Sequence, residues 1–326
     1  MPEDGLSNRF FSESSAPQPD ERSPAEQWDH DATRRVLDEL FSLAKTFNSS
    51  KSYLEFMEFI GRFRLYSPFN AILIYTQMPG ARFVATPRRW MKEFYREIKA
   101  GARPVVILQP MGPVLFVFDI SDTEQIPGAP SVPEQALNPF HVYRGQVGDK
   151  LDRTIENAKR DGIRVSEADH GSQQAGSIQW ASHHQFLDVL ISPKANLRFK
   201  RVPLWYELLL NSSLSPESKY ATLVHELGHL YCGHLGTPDK RRWPDRRGLP
   251  TEVCEFEAES ICYLVCTRLG LENASAEYLA GYVRRYETTP PISLDRVIKS
   301  SWLIEQMGKA RLPLWKDSSN DIASAS

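Results

Sequence analysis

The sequence predicts an α+β protein of two domains, an N-terminal helical and small-sheet domain followed by a C-terminal one built around a buried helix carrying His-Glu-x-x-His. Three observations carry this expectation. Apolar residues recur at helical spacing through the first third of the chain. Two short β-rich runs, Val105 to Leu108 and Val114 to Phe118, flank Pro110-Met111-Gly112-Pro113 and read as a hairpin. The stretch from Ser215 to Gly233 has helix end signals and is almost wholly apolar after Tyr220, apart from His225, Glu226 and His229.

Taken in order, residues 1–28 are polar and proline-rich, the composition of a disordered tail, and so is the tail from 316 to 326. Val36, Leu37, Leu40, Phe41, Leu43, Ala44 and Phe47 place a helix between Asp31 and Phe47. A second helix spans Tyr53 to Phe63. A third begins at Ser67-Pro68, a cap followed by proline at a first-turn position, and stops at Pro79-Gly80. Thr86-Pro87 repeats that signal and opens a helix from Arg88 to Ile98. The hairpin follows. Asp122 to Pro139 is proline-rich and without periodicity, so it reads as a linker. The expected domains are therefore 29–138 and 139–315. The second holds a helix (Leu151 to Arg160), strands at Ile163 to Val165, Gly176 to Trp180 and Leu187 to Ile191, and then a long helical region.

Bulk composition narrows the class. An apolar share of 41% and a charged share of 25% are those of a soluble globular protein. No apolar run reaches membrane-spanning length, so no membrane partner is expected. The acidic N-terminus lacks the pattern of a secretory signal. The cysteines, Cys232, Cys254, Cys262 and Cys266, sit in apolar helical sequence and read as buried thiols. A cytoplasmic location is expected from both. Net charge is -2, but the segment from Arg82 to Arg103 sets seven basic residues against Glu93 and Glu97, a local +5.

Burying two imidazoles and a carboxylate without partners costs several kcal/mol, so something must satisfy them. His225 and His229 are four apart, hence on one helix face, and both can reach one ion. Glu226 lies about 100° round the helix, poorly placed as a ligand but able to reach a water at the metal's open position. Zinc is the expected metal, and it needs a third protein ligand. His234 does not fit the spacing of a third histidine and reads as an ordinary residue near the helix end. The better source is a second helix from Thr251 to Cys266, whose acids cluster where it becomes buried. Glu255 and Glu259 share a face: Glu255 can bind the metal while Glu259 accepts a proton from a ligand histidine's far nitrogen. Glu252 is the reserve ligand, Glu257 reads as solvated or salt-bridged, and an acidic first turn favoured by the helix dipole is the alternative for the whole cluster. With such a site, Glu226 takes a proton from the attacking water and passes it to the leaving amine. Tyr263, Tyr278 and Tyr282 are all available to support the oxyanion.

Leu223-Val224-His225-Glu226-Leu227-Gly228-His229, followed by Glu255-Phe256-Glu257-Ala258-Glu259-Ser260, resembles the ImmA/IrrE-like zinc metallopeptidases and, more closely, the ArdC-type antirestriction proteins. The resemblance implies a zincin-like metallopeptidase fold with Glu255 as third ligand. Glu259 stands where relatives carry Asp or Asn. The N-terminal half is similar too, at Tyr66-Ser67-Pro68-Phe69-Asn70, Ala85-Thr86-Pro87-Arg88-Arg89-Trp90, Ile98 to Ile107 and Val117 to Thr123. In that family this domain binds single-stranded DNA.

The residues themselves allow two readings of the basic segment. Trp90, Phe94 and Tyr95 stand among its cations, and cations neutralise phosphates while aromatics stack on unpaired bases. Alternatively, Trp90, Met91, Phe94 and Ile98 face the core of an amphipathic helix whose charges face water. With the resemblance, Arg88, Arg89, Trp90, Lys92, Lys99 and Arg103 become the candidate DNA contacts. A second basic loop, Lys240 to Arg247, touches DNA or an acidic substrate, or is simply solvated. The expected function is a zinc peptidase acting on a protein or peptide and coupled to single-stranded DNA, with an antirestriction or regulatory role. The alternative is a DNA-shielding antirestriction protein whose metal domain is inert or structural.

Overall fold

The computed structural model describes residues 49–109, 114–129, 146–169, 175–183, 185–192, 198–271 and 274–314. The helix expected between Asp31 and Phe47 and both tails lie outside them, as does the expected boundary near 138.

Local signals set the first elements. Helix α1 (Ser50–Arg62) is capped by Ser49, and α2 (Pro68–Gln77) by Ser67, whose hydroxyl accepts from the Asn70 N–H. After β1 (Val84–Ala85), Thr86 caps α3 (Pro87–Phe94) in the same way. This helix ends four residues before the expected Ile98, because Tyr95 adopts a left-handed conformation (φ 52°). The chain then runs as β2 (Arg96–Ile98), which pairs with β5 (Thr123–Gln125). A strand partner far along the chain decides that break, and helical periodicity cannot show it.

The hairpin forms as expected. β3 (Val105–Ile107) pairs antiparallel with β4 (Leu115–Asp119), and β1 adds on the other side of β4. The outer edge of β3 is closed by side chains of α2. Asn70 exchanges two hydrogen bonds with the Leu108 backbone, and Gln77 does the same with Val106. These amides satisfy edge groups that would otherwise invite a foreign strand. Asp119 is buried and accepts from the Arg82, Phe83 and Ser121 N–H groups, which pins the corner after β4.

The C-terminal part begins with α4 (Lys150–Ala158) and a sheet of β6 (Ile163–Ala168), β7 (Gly176–Trp180) and β10 (Tyr206–Asn211). Its central strand is β10, parallel to β6 and antiparallel to β7. The sequence reading missed β10 and β9 (Arg198–Pro203), the antiparallel partner of β8 (Phe186–Ser192). Tyr206, Leu208 and Leu210 alternate onto one buried face, with Leu209 half-buried on the other, in a short and largely apolar run that periodicity alone does not separate from a buried helix.

Four further helices follow among the described residues: α5 (Pro216–Cys232), α6 (Thr251–Leu269), α7 (Ala274–Arg285) and α8 (Leu294–Lys309). One apolar cluster runs from α1 and α2 into α5, α6 and α8, so side chains from both sides of the expected boundary share a core. Tyr53 of α1 donates to Ser260 of α6 at 2.9 Å across that contact. No helix among the described residues is long and apolar enough to cross a membrane.

Candidate metal centre

Helices α5 and α6 approach closely because Gly228 faces Ala258. A Cβ on Gly228 would meet the Ala258 Cα at 3.3 Å. This proximity sets the two acid-bearing turns of α6 beside the two histidines of α5. The apolar neighbours of the motif, Leu223, Val224, Leu227 and Leu230, are fully buried and fix how far α5 is rotated.

Nε2 of His225 and Nε2 of His229 lie 3.1 Å apart, and the Glu255 oxygens stand 3.6 Å from each. A tetrahedral zinc with ligands at about 2.0–2.2 Å has ligand-to-ligand edges of roughly 3.3 Å. Two imidazoles and a carboxylate at these separations therefore suit a divalent zinc in both donor type and spacing. Side-chain exposures of 21%, 15% and 42% for His225, His229 and Glu255 leave the carboxylate side open to solvent. Glu259 comes within 3.6 Å of His225 Nδ1, on the far side of that ring. Glu252, the reserve ligand, is drawn away and accepts from Tyr282 at 2.8 Å.

Glu226 is half-buried beside the pair. Burial raises its affinity for protons, His225 and His229 oppose that, and the Ile178 backbone N–H on β7 donates to it. In the polypeptide alone, burial works against charge on His225, but contact with Glu255 and the charge of Glu259 outweigh it and push the imidazole up to about 9. Contacts with His225 and His229 hold the Glu255 carboxyl far below the usual carboxylate range.

Behind the histidines lies a second layer that the sequence reading did not bring to the site. His234, expected to be an ordinary helix-end residue, sits with Nδ1 3.0 Å from His229 Nδ1 and Nε2 2.9 Å from Glu257. Of the two readings of Glu257, solvated or salt-bridged, the second holds: it is fully buried and accepts from Arg246 at 2.7 and 2.8 Å and from the Ser293 N–H at 2.6 Å. Burial works against its charge, yet His234, Arg246 and Ser293 hold the carboxyl at about 2. Burial likewise lowers His234. Cys232, His234 and Glu257 bring ligand-type atoms together, but Arg246 already occupies the carboxylate and burial pushes the Cys232 thiol well up. A cation there would have to displace a guanidinium, so this group is an ion-pair cluster. The spacing of His229 and His234 was visible in the sequence; the turn that folds one back on the other was not.

Among the oxyanion candidates, Tyr263 is buried and Tyr282 is engaged by Glu252. Tyr278 is 38% exposed, and after burial the charges of Glu259, Glu255 and Glu252 raise its phenol.

The candidate DNA contacts divide. Arg88, Lys92, Lys99 and Arg103 are exposed, while Arg89 is paired with Glu93 at 2.7 Å and Lys99 donates to the Ser121 carbonyl. Trp90 is fully buried, packs on Phe83 and Phe94 and donates to the Phe118 carbonyl. That removes it as a stacking platform: the amphipathic reading of α3 holds at this residue. Tyr95, 49% exposed at the end of α3, presents an open ring instead. In the second basic loop, Arg241 pairs with Asp239, Arg247 with Asp245, and Arg246 turns inward to Glu257.

In comparison with known proteins, residues 158–278 match the IrrE N-terminal-like domain family, peptidase M78. An uncharacterized protein of Bacillus anthracis is 23% identical over 299 residues, which cover 77% of this chain and 46% of the relative. The chain thus spans about half the length of that curated relative. Among solved structures, the crystal structure of a plasmid antirestriction ArdC protein, metal-free, aligns over 75% of this chain and 83% of its own, at 16% identity and a TM-score of 0.32.

Proposed function

We propose that this chain, whose residues 158–278 match the IrrE N-terminal-like domain, is a zinc-dependent peptidase coupled to a single-stranded-DNA-binding segment. The observation that carries the reading is the spacing of His225, His229 and Glu255, with Glu226 beside them and a solvent-open side. Zinc bound there would polarise a scissile carbonyl and bring a water's pKa toward neutrality. Glu226 then accepts the water's proton, and its burial favours holding that proton until the leaving amine takes it. A protein or peptide is the substrate this chemistry serves, and the role is antirestriction or regulatory.

The test is removal and return of the metal. Purified protein should carry about one zinc per chain. Chelation should abolish cleavage of a peptide library, and stoichiometric zinc should restore it. Zinc-loaded protein that cleaves nothing above its chelated form would overturn the peptidase and leave the alternative, a DNA-shielding protein with an inert metal domain.

The exposed cations Arg88, Lys92 and Arg103, with Tyr95 open nearby in the chain, support single-stranded DNA as a second partner. Replacing the three cations together by alanine should weaken oligo-dT binding and lower its log–log salt slope by about two. Wild-type protein that leaves labelled oligo-dT free at low salt would exclude this partner.

A further inference from the structure

Helix α5 ends at Gly233, whose left-handed conformation (φ 86°) reverses the chain. The His234 N–H returns to the His229 carbonyl at 3.0 Å, and the Gly233 N–H to that of Leu230 at 2.9 Å. A side chain is excluded at this turn, since a Cβ on Gly233 would lie 2.3 Å from the Pro244 carbonyl oxygen. The reversal lays the His234 ring against the back of His229, and the loop through Pro244 delivers Arg246 to the same place.

We propose that His234, braced by Glu257 and Arg246, is a positioning residue that locks His229 in the tautomer able to bind the metal; this rests on the zinc reading above. To offer a lone pair at Nε2, His229 must carry its proton on Nδ1. That nitrogen is 3.0 Å from His234 Nδ1, so His234 Nδ1 must accept. The single proton of His234 is then on Nε2, donated to Glu257 at 2.9 Å. Glu257 has no proton to give, because Arg246 and the Ser293 N–H already donate to it. Every proton has one place to go.

The opposite arrangement fails on the same geometry. A His229 protonated at Nε2 would present a lone pair at Nδ1 and need His234 to donate there. A neutral His234 would then turn a lone pair toward the Glu257 carboxylate, itself an acceptor. A doubly protonated His234 would put a second cation beside Arg246 in a buried place. Ligand histidines ordinarily lean directly on a carboxylate or carbonyl. Here a neutral imidazole stands between, so the charge of Glu257 reaches the ligand through one ring while Arg246 neutralises it within the core. His225, by contrast, has Glu259 near its Nδ1.

The experiment compares zinc dissociation constants, by chelator competition, for wild type, His225→Ala, His234→Leu and His234→Asn. Leucine removes the acceptor; asparagine restores an oxygen near the place of Nδ1. Zinc should bind ten- to a hundredfold more weakly to the leucine variant, and asparagine should recover most of that loss. Histidine ring nitrogen spectra of zinc-loaded wild type give a readout that needs no variant: His234 should be neutral with its proton on Nε2. Leucine binding zinc as tightly as wild type, asparagine as impaired as leucine, or a proton on His234 Nδ1 would overturn the proposal. A wild type that takes no zinc, or a His225→Ala that takes it undiminished, would instead sink the metal reading.

Discussion

Glu226→Gln should lower peptide hydrolysis by roughly a thousandfold while zinc content and thermal midpoint stay near those of wild type. Glutamine keeps the shape and can still accept the Ile178 N–H, so the local structure has little reason to move. It cannot take a proton from water. The ligand cluster of His225, His229 and Glu255 does not include residue 226, so metal affinity should change little. The measurement is a cleavage rate on a zinc-matched pair of proteins, with metal content determined on the same samples. A glutamine variant retaining more than about a tenth of wild-type rate would remove Glu226 as the general base. Protection against restriction that persists in an inactive variant would place that biology on the DNA-binding segment.

The largest stability effect should come from Arg268→Met, at about 3–5 kcal/mol. Arg268 is 8% exposed. It donates to the Ile60 and Phe63 carbonyls at 3.0 Å each and to the Tyr66 carbonyl at 2.6 Å. Its Nε pairs with Glu305 of α8. One guanidinium thus satisfies carbonyls at the end of α1 and in the turn toward α2, and ties that corner to α6 and α8. Methionine fills much of the volume but leaves three carbonyls without this donor and removes the guanidinium from a carboxylate that is 8% exposed. Lys309, 3.9 Å from Glu305, is a weaker partner on the outer side. Urea unfolding measures the loss. The double variant Arg268→Met with Glu305→Gln should recover part of it, because the stranded charge is gone. A loss below about 1 kcal/mol for the single variant would mean that the corner is held by apolar packing alone.

By itself the sequence determined the parts with a local cause. Ser67, Thr86 and Ser215 start helices because a hydroxyl beside the first turn satisfies an orphan N–H. His225, Glu226 and His229 stood out because ionisable groups in an apolar helix demand partners, and residues four apart share a face. Those rules act within a few residues. Only the tertiary structure decided what depends on neighbours distant in the chain. It chose Glu255 over Glu252 for the cluster, since the Gly228–Ala258 contact fixes the height of α6 against α5 and Tyr282 draws Glu252 off. It buried Trp90 against Phe83 as well as against its helix neighbour Phe94, which decided between the two readings that helical spacing had left open. It ended α3 at Tyr95 because β5 supplies the partner for β2. It joined His234, Glu257 and Arg246 behind His229, three residues whose chemistry is ordinary apart and which become a proton-directing chain once packing brings them within hydrogen-bonding distance.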